Sequence, residues 1–384
     1  MTMITSTADL KTLCDSLRDA EFVTVDTEFM RESTYWAKLC LVQIGGPEVA
    51  VAVDPLAPGI DLSPLFQLMV EPKLLKVFHA ARQDLEIFHH LSGEVPHPIF
   101  DTQVAAMVCG FGDSVAYDTL ASRLADAHID KHSRFTDWSR RPLTDRQVGY
   151  ALADVIHLRP IYEKLSVMLE KNGRRHWLAE EMAILTDPGT YLVEPTEAWR
   201  RLKLRNPKPR MVAVLREAAA WREIEAQAKD VPRNRILRDE ALLEIAAHPP
   251  KDRDDLLRIR GFPKGLADSA RGDVIIAAVA RGLATPKDDL PALDSRPQKP
   301  QGIGPLVELL KVLLRMKCEE HEVAQKLIAN VNDLEQIAAD DNAEVPALHG
   351  WRRDVFGADA LRLKHGRLAL AAAGRRVKLI EVER

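Results

Sequence analysis

Val23-Thr24-Val25-Asp26-Thr27-Glu28-Phe29 alternates β-branched residues with others and reads as a buried strand whose side chains repeat every second position. At that period Asp26 and Glu28 leave the same face. Each further carboxylate brought beside them adds repulsion of roughly 4 kcal/mol per pair at about 4 Å with an effective dielectric near 20. A protein keeps such a cluster only where protons or hard cations neutralise it. More acids on neighbouring elements would therefore mark a cation site.

The flanking sequence supplies those elements. Leu39–Ile44, a Gly45-Gly46-Pro47 turn and Val49–Asp54 read as a hairpin. Residues 1–20 read as a helix, with Thr7 or Asp9 as N-cap before Leu10, Leu13 and Leu17. A helical segment from Ser63 to Val70 precedes a fourth strand, Leu75–His79. Helical periodicity from Arg82 to Leu91 and a short fifth strand, Ile99–Asp101, follow. To about Glu170 the pattern stays helical, interrupted by Gly110-Phe111-Gly112 and by Pro142. A hairpin series followed by β-α-β-α predicts a mixed α/β sheet with helices on both faces.

The acids arrive on two of these elements. Asp84 sits in the first turn of the helix after the fourth strand, where the helix dipole stabilises a carboxylate. Tyr150 and Asp154 stand at i and i+4, on one helical face that is otherwise apolar (Val148, Leu152, Val155, Leu158). Alone, each feature is commonly structural: an edge pair, a helix cap, a core tyrosine. Together, four carboxylates can converge on one mouth of a sheet. All-oxygen ligation selects Mg²⁺ or Mn²⁺ over zinc, and two such ions about 3.5–4 Å apart stabilise both oxygens of a phosphodiester cleavage. The expected centre has Asp26 bridging two metals, Glu28 and Asp154 completing one site, and Asp84 holding the second directly or through water. With only about one phenol in a thousand ionised at pH 7, Tyr150 suits orienting a metal-held water rather than acting as a strong base.

The bulk composition fits this chemistry. A chain of 384 residues suggests two or three domains, and 46% hydrophobic with 29% charged residues is ordinary for a soluble globular protein. No apolar run reaches the ~18–20 residues of a membrane helix, and Met1–Thr12 lacks a basic-then-apolar leader. Cys14, Cys40, Cys109 and Cys318 form no CxxC pair, so a reducing cytosol is expected. Near Asp187-Pro188-Gly189 the pattern breaks into a linker that runs to about Pro209. Two helical blocks follow, roughly 210–285 and 303–384, separated by Pro286, Pro291, Pro297, Pro300 and Pro305. Leu242–Ala246 with Leu256–Gly261, and Leu334–Ala338 with Val345–Arg352, look like divergent copies of one helical unit.

The chain resembles the DEDD 3′→5′ exonuclease superfamily, and within it the ribonuclease D family. The three motifs stand as Val25–Phe29, as His79 with Gln83-Asp84-Leu85-Glu86, and as Tyr150–Val155; Tyr150, with Gly149 beside it, marks the Tyr subgroup. Lys131-His132-Ser133-Arg134-Phe135-Thr136-Asp137-Trp138-Ser139-Arg140-Arg141-Pro142-Leu143-Thr144 is similar to a further run of that family, with His132 inserted. Trp221-Arg222, Val231–Ile236 and Leu257–Gly261 look like an HRDC domain, a helical nucleic-acid-binding module, and Gly350-Trp351-Arg352 like a more divergent second one. The resemblance implies an RNase H-like exonuclease domain over 1–190, a linker over 191–209, an HRDC domain over 210–286, a Pro-rich linker over 287–302 and an HRDC-like domain over 303–384. The blocks after the linker are expected to be all-α. It also implies a monomeric cytoplasmic enzyme, with no membrane partner. Two Mg²⁺ or Mn²⁺ ions would let it release 5′-mononucleotides from RNA 3′ ends, tRNA precursors above all.

Candidate substrate contacts extend beyond the acids. The net charge is −4, yet residues 200–222 carry eight basic residues, Arg200, Arg201 and Lys203 among them, against the single acid Glu217; Arg233 and Arg235 continue the tract. Beside a phosphodiesterase centre such a tract can follow phosphates. Phe29, Met30 and Gln43 could meet the terminal nucleotide, and His79 a phosphate. His89-His90 diverge by about 100° on a helix and are expected at the surface; His157 is a rival proton acceptor to Tyr150. The alternatives are a DNA exonuclease of repair type, since no residue identifies a 2′-OH contact, and a non-catalytic RNA-binding protein.

Overall fold

A single sheet in the order β1-β4-β3-β2-β5-β6 organises the first half of the chain. Its strands are β1 (Met3–Ile4), β2 (Phe22–Met30), β3 (Lys38–Gly45), β4 (Ala50–Val53), β5 (Leu75–Phe78) and β6 (Ile99–Asp101). The computed structural model describes residues 3–129, 136–204, 207–291, 300 and 302–382. Strand β2 pairs antiparallel with β3 and parallel with β5, so the sheet is mixed as expected. Seven helices accompany it among the described residues: α1 (Thr7–Leu17), α2 (Ser63–Met69), α3 (Arg82–Ser92), α4 (Thr102–Val108), α5 (Tyr117–Leu124), α6 (Asp145–Lys171) and α7 (Arg175–Thr186). The opening segment differs from the expectation of one helix. Met3–Ile4 add a parallel edge strand to β4, and Ser6, rather than Thr7 or Asp9, accepts the Asp9 N–H as N-cap. Two residues are too few for a readable period.

Helix α6 is the element that matters most for the site. Thr144 and Gln147 form a reciprocal capping box that fixes its start. It crosses the sheet so closely that the Thr24 hydroxyl donates to the Val155 carbonyl at 2.8 Å. Gly45 permits this approach: a Cβ there would overlap Thr24 Oγ1 and lie 3.1 Å from the Val155 carbonyl oxygen.

The helical blocks follow as α8 (Pro209–Ala228), α9 (Arg233–Ile236), α10 (Asp239–Ala247), α11 (Arg253–Arg258), α12 (Lys264–Ala267) and α13 (Ala270–Ala284), then α14 (Gly304–Glu320), α15 (Gln325–Ile328), α16 (Val331–Ala339), α17 (Gly350–Arg352) and α18 (Ala358–Lys364). The order long, short, medium helix occurs in both α8–α10 and α14–α16. The second block also ends in a hairpin, β7 (Leu368–Ala373) with β8 (Arg376–Glu381), which the helical reading did not include. Nor is the stretch before Pro209 a bare spacer. Residues 195–201 form a 3₁₀ helix whose Ala198 and Trp199 are buried with α8. Residues 131–135 of the long family run, Arg205 and most of the Pro-rich linker lie outside the described residues.

The sheet domain and the second block share one continuous core, in which Trp177 and Trp351 stack with ring centroids 4.1 Å apart. The first block forms its own core, into which Tyr35 of the β2–β3 loop inserts. Among the described residues, no helix is long and apolar enough to cross a membrane, and the four cysteines are buried free thiols.

Candidate active site

Asp26 and Glu28 on β2 and Asp154 on α6 each offer a carboxylate oxygen within 4.8 Å of the others. Strand alternation supplies the first two and the close crossing of α6 supplies the third. A register shift between Glu28 and Phe29 bends the strand directly after the pair. Burial pushes the Asp26 carboxyl up to about 6. Asp84 occupies the first turn of α3 as expected and is buried. It stands apart from the trio. Thr27, which faces the opposite side of β2 from Asp26 and Glu28, donates its hydroxyl to Asp84 Oδ1. Asp84 also has its pKa raised, first by burial and then by the Asp26 charge, so the two carboxylates remain close enough to repel. Clustered, partly buried carboxylate oxygens with no sulfur or imidazole among them fit a hard cation, Mg²⁺ or Mn²⁺.

A cleft of about 330 Å³ opens on Asp26 and Asp154, lined also by Tyr150, His79, Ser114 and Tyr117 among others. Tyr150 is therefore at the cleft with Asp154, one helical turn away. The run ending in Arg141-Pro142-Leu143 braces it. Arg141 donates to both oxygens of Asp54, at 2.7 and 2.6 Å, and to the Cys40 and Trp138 carbonyls. Trp138, buried, lies with its ring centroid 6.2 Å from that of Tyr150. Tyr117, which sequence reasoning missed, donates its hydroxyl to the Asp154 backbone carbonyl. Burial raises its pKa and the nearby Asp154 charge raises it further, so it remains a donor. A tyrosine at a helix start carries no sequence signal of that contact.

The proposed substrate contacts divide. His79 lines the cleft, with Nδ1 3.0 Å from Thr102 Oγ1. Phe29 and Met30 are half-buried beyond the bulge and pack on the core. Gln43 pairs with Asp26 across the strands but is fully buried, and its amide has no hydrogen-bond partner among the described residues. That burial removes it from direct nucleotide contact. The basic tract is partly internal. Arg233 donates to both Glu223 oxygens and to the Tyr35 hydroxyl, which corrects its assignment to RNA. Arg222 is buried on the Leu237 carbonyl and Asp239, and Arg210 caps the carbonyls ending α13. Arg201, Lys203 and Arg235 remain exposed, and Arg200, also exposed, pairs with Glu197. His90 stacks on Trp36 at 4.0 Å, and His157 lies outside the cleft lining.

A mixed sheet with an acidic trio at one mouth, served by a helix bearing Tyr150, defines a 3′-5′ exonuclease domain, and the family model of that description matches residues 1–170. The HRDC domain model matches residues 211–279. Ribonuclease D of Nitrobacter hamburgensis is 54% identical over 99% of this chain and 100% of its own, and ribonuclease D of Granulibacter bethesdensis 52% identical over 99% and 96%. The crystal structure of Escherichia coli RNase D, described as an exoribonuclease involved in structured RNA processing, superposes with a TM-score of 0.81 at 30% identity, covering 95% of this chain and 98% of that one. The chain belongs to the ribonuclease D family of 3′→5′ exoribonucleases. The domain type and its acidic cluster imply dependence on divalent metal.

Proposed function

We propose that this enzyme releases 5′-mononucleotides by two-metal-ion hydrolysis and trims the 3′ ends of tRNA precursors and other structured RNAs, as a cytoplasmic monomer. The observation that carries the reading is the approach of Asp26, Glu28 and Asp154 within 4.8 Å in a chain of this family. Those three carboxylates would hold the ions, with Asp84 joining directly or through water. When bound, the ions supply Lewis acidity and neutralise charge on the phosphate. Tyr150 orients the attacking water by hydrogen bonding, and Tyr117 fixes the position of Asp154 through its backbone. The exonuclease domain occupies 1–190 and the helical domains 210–286 and 303–384, with linkers at 191–209 and 287–302. The exposed Arg200, Arg201, Lys203 and Arg235 support tracking of the RNA backbone by the first helical domain.

The deciding experiment is a time course on a 3′-tailed tRNA and a circularised control, with Mg²⁺, Mn²⁺ or chelator, beside matched RNA and DNA oligonucleotides. Metal-dependent release of 5′-mononucleotides from the tailed tRNA alone is expected. Cleavage of the circle, or a preference for DNA, would overturn the reading.

A further inference from the structure

The second helical block grips one lip of the active-site cleft. Residues 107–114, the end of α4 and the start of its loop to α5, lie against residues 322–326, which enter the first turn of α15. The Ala324 N–H donates to the Met107 carbonyl at 3.0 Å. Arg174 donates to the carbonyls of Val108 and Glu322 at 3.0 and 3.2 Å. Gly110 has φ +82°, and a Cβ on it would lie 2.9 Å from the Glu322 carbonyl oxygen, so the two backbones meet closely. The Lys326 N–H donates to Asp113 Oδ1 at 3.1 Å, and its ammonium to Ser114 Oγ at 3.2 Å. Ser114 in turn lines the cleft beside Asp26, Tyr150 and Asp154. An exposed cation from the far end of the chain thus stands on the rim of the catalytic cleft.

The charge of that cleft gives the cation a task. Its described lining contains Asp26, Asp118 and Asp154 but no lysine or arginine. The ions would neutralise Asp26 and Asp154, which leaves the phosphates further along an entering strand to be met by positive groups at the entrance. Lys326 has a neutral hydroxyl as its hydrogen-bond partner there and, among the described residues, no carboxylate oxygen within 4 Å of its ammonium. Resting on the exoribonuclease reading above, we propose that Lys326 binds a phosphate of the RNA strand entering the cleft, so that the second helical block completes the substrate path of the exonuclease domain.

The test compares full-length wild type with K326M, K326R and D113A on single-stranded RNA bearing a free 3′-OH, in Mg²⁺, over a salt series. K326M keeps the aliphatic stem and removes the charge; D113A weakens the docking of the block and keeps the ammonium. Loss of one phosphate contact predicts a KM raised about fivefold in K326M with kcat little changed, and a salt slope shallower by about 0.7. K326R restores both, and D113A keeps the wild-type slope. Unchanged KM and slope in K326M, or the same losses in D113A, would reduce Lys326 to a tether and overturn the proposal. A wild type inactive on RNA would instead sink the exoribonuclease reading and this contact with it.

Discussion

In the proposed mechanism, Tyr150 and Asp26 are two groups whose behaviour can be measured separately. Removing the Tyr150 hydroxyl leaves the acidic trio intact, so Tyr150→Phe should lower kcat about 100-fold while divalent-ion affinity by calorimetry stays near wild type. A fully active variant would remove Tyr150 from the mechanism. Asp26 links metal to pH. Its folded pKa, raised to about 6 by burial, exceeds the unfolded value of 3.8. The stability that its neutral form contributes is fully present below pH 3.8 and is lost as pH rises through 6. A bound cation offsets that loss by neutralising the ionised group. Mg²⁺ or Mn²⁺ should therefore raise the melting temperature more at pH 7.5 than at pH 5. An equal rise at both would show that the acids do not titrate with the metal.

Two seams between elements hold these groups in place. At the first, Gly45, Thr24 and Val155 let α6 lie directly on the sheet. Gly45→Ala forces the helix outward, with a destabilisation of about 1–3 kcal/mol typical of overpacking. Since Asp154 precedes Val155, activity should fall further than stability explains, measurable as lost kcat well below the melting temperature. At the second seam, Arg141 joins β4 to the segment before α6 through Asp54. Its removal leaves a carboxylate that is only 10% exposed without its cation, and Arg141→Ala should destabilise by about 2 kcal/mol in denaturant melts. A smaller loss for Arg141→Lys than for Arg141→Ala would show that charge, more than the bidentate fork, matters here.

Each helical block touches a different side of the catalytic domain. The first is fastened through Tyr35, whose hydroxyl donates to the fully buried Glu223 and accepts from Arg233 and Gln227. Asp230 Oδ1 accepts the backbone N–H groups of Tyr35 and Trp36 at 3.0 and 2.9 Å. This loop follows the catalytic strand, and Arg31 at its start pairs with Glu86 on α3, two residues past Asp84. Arg233→Ala should therefore lower thermal stability and leave the salt slope of RNA binding unchanged, because that guanidinium faces Glu223. Combined neutralisation of Arg200, Arg201 and Lys203 should do the reverse, flattening the slope by about 2. Equal slopes in both variants would argue against the basic tract as an RNA path.

Local pattern was enough for the strand that carries Asp26 and Glu28 and for the mixed sheet, because side-chain period and turn chemistry are properties of neighbouring residues. The run through Asp137, Trp138 and Arg141 was also recognisable, but its task of bracing Tyr150 was not. Partners distant in sequence leave no trace in periodicity. Thr27 donating to Asp84, Tyr117 holding the Asp154 carbonyl, Glu223 occupying Arg233, and Lys326 arriving at Ser114 all depend on which surfaces packing brings together. A guanidinium reads the same in a chain whether it will face a phosphate or a buried carboxylate. Only the folded neighbourhood decides between them, since desolvation and hydrogen-bond distance exist only after the chain has closed on itself.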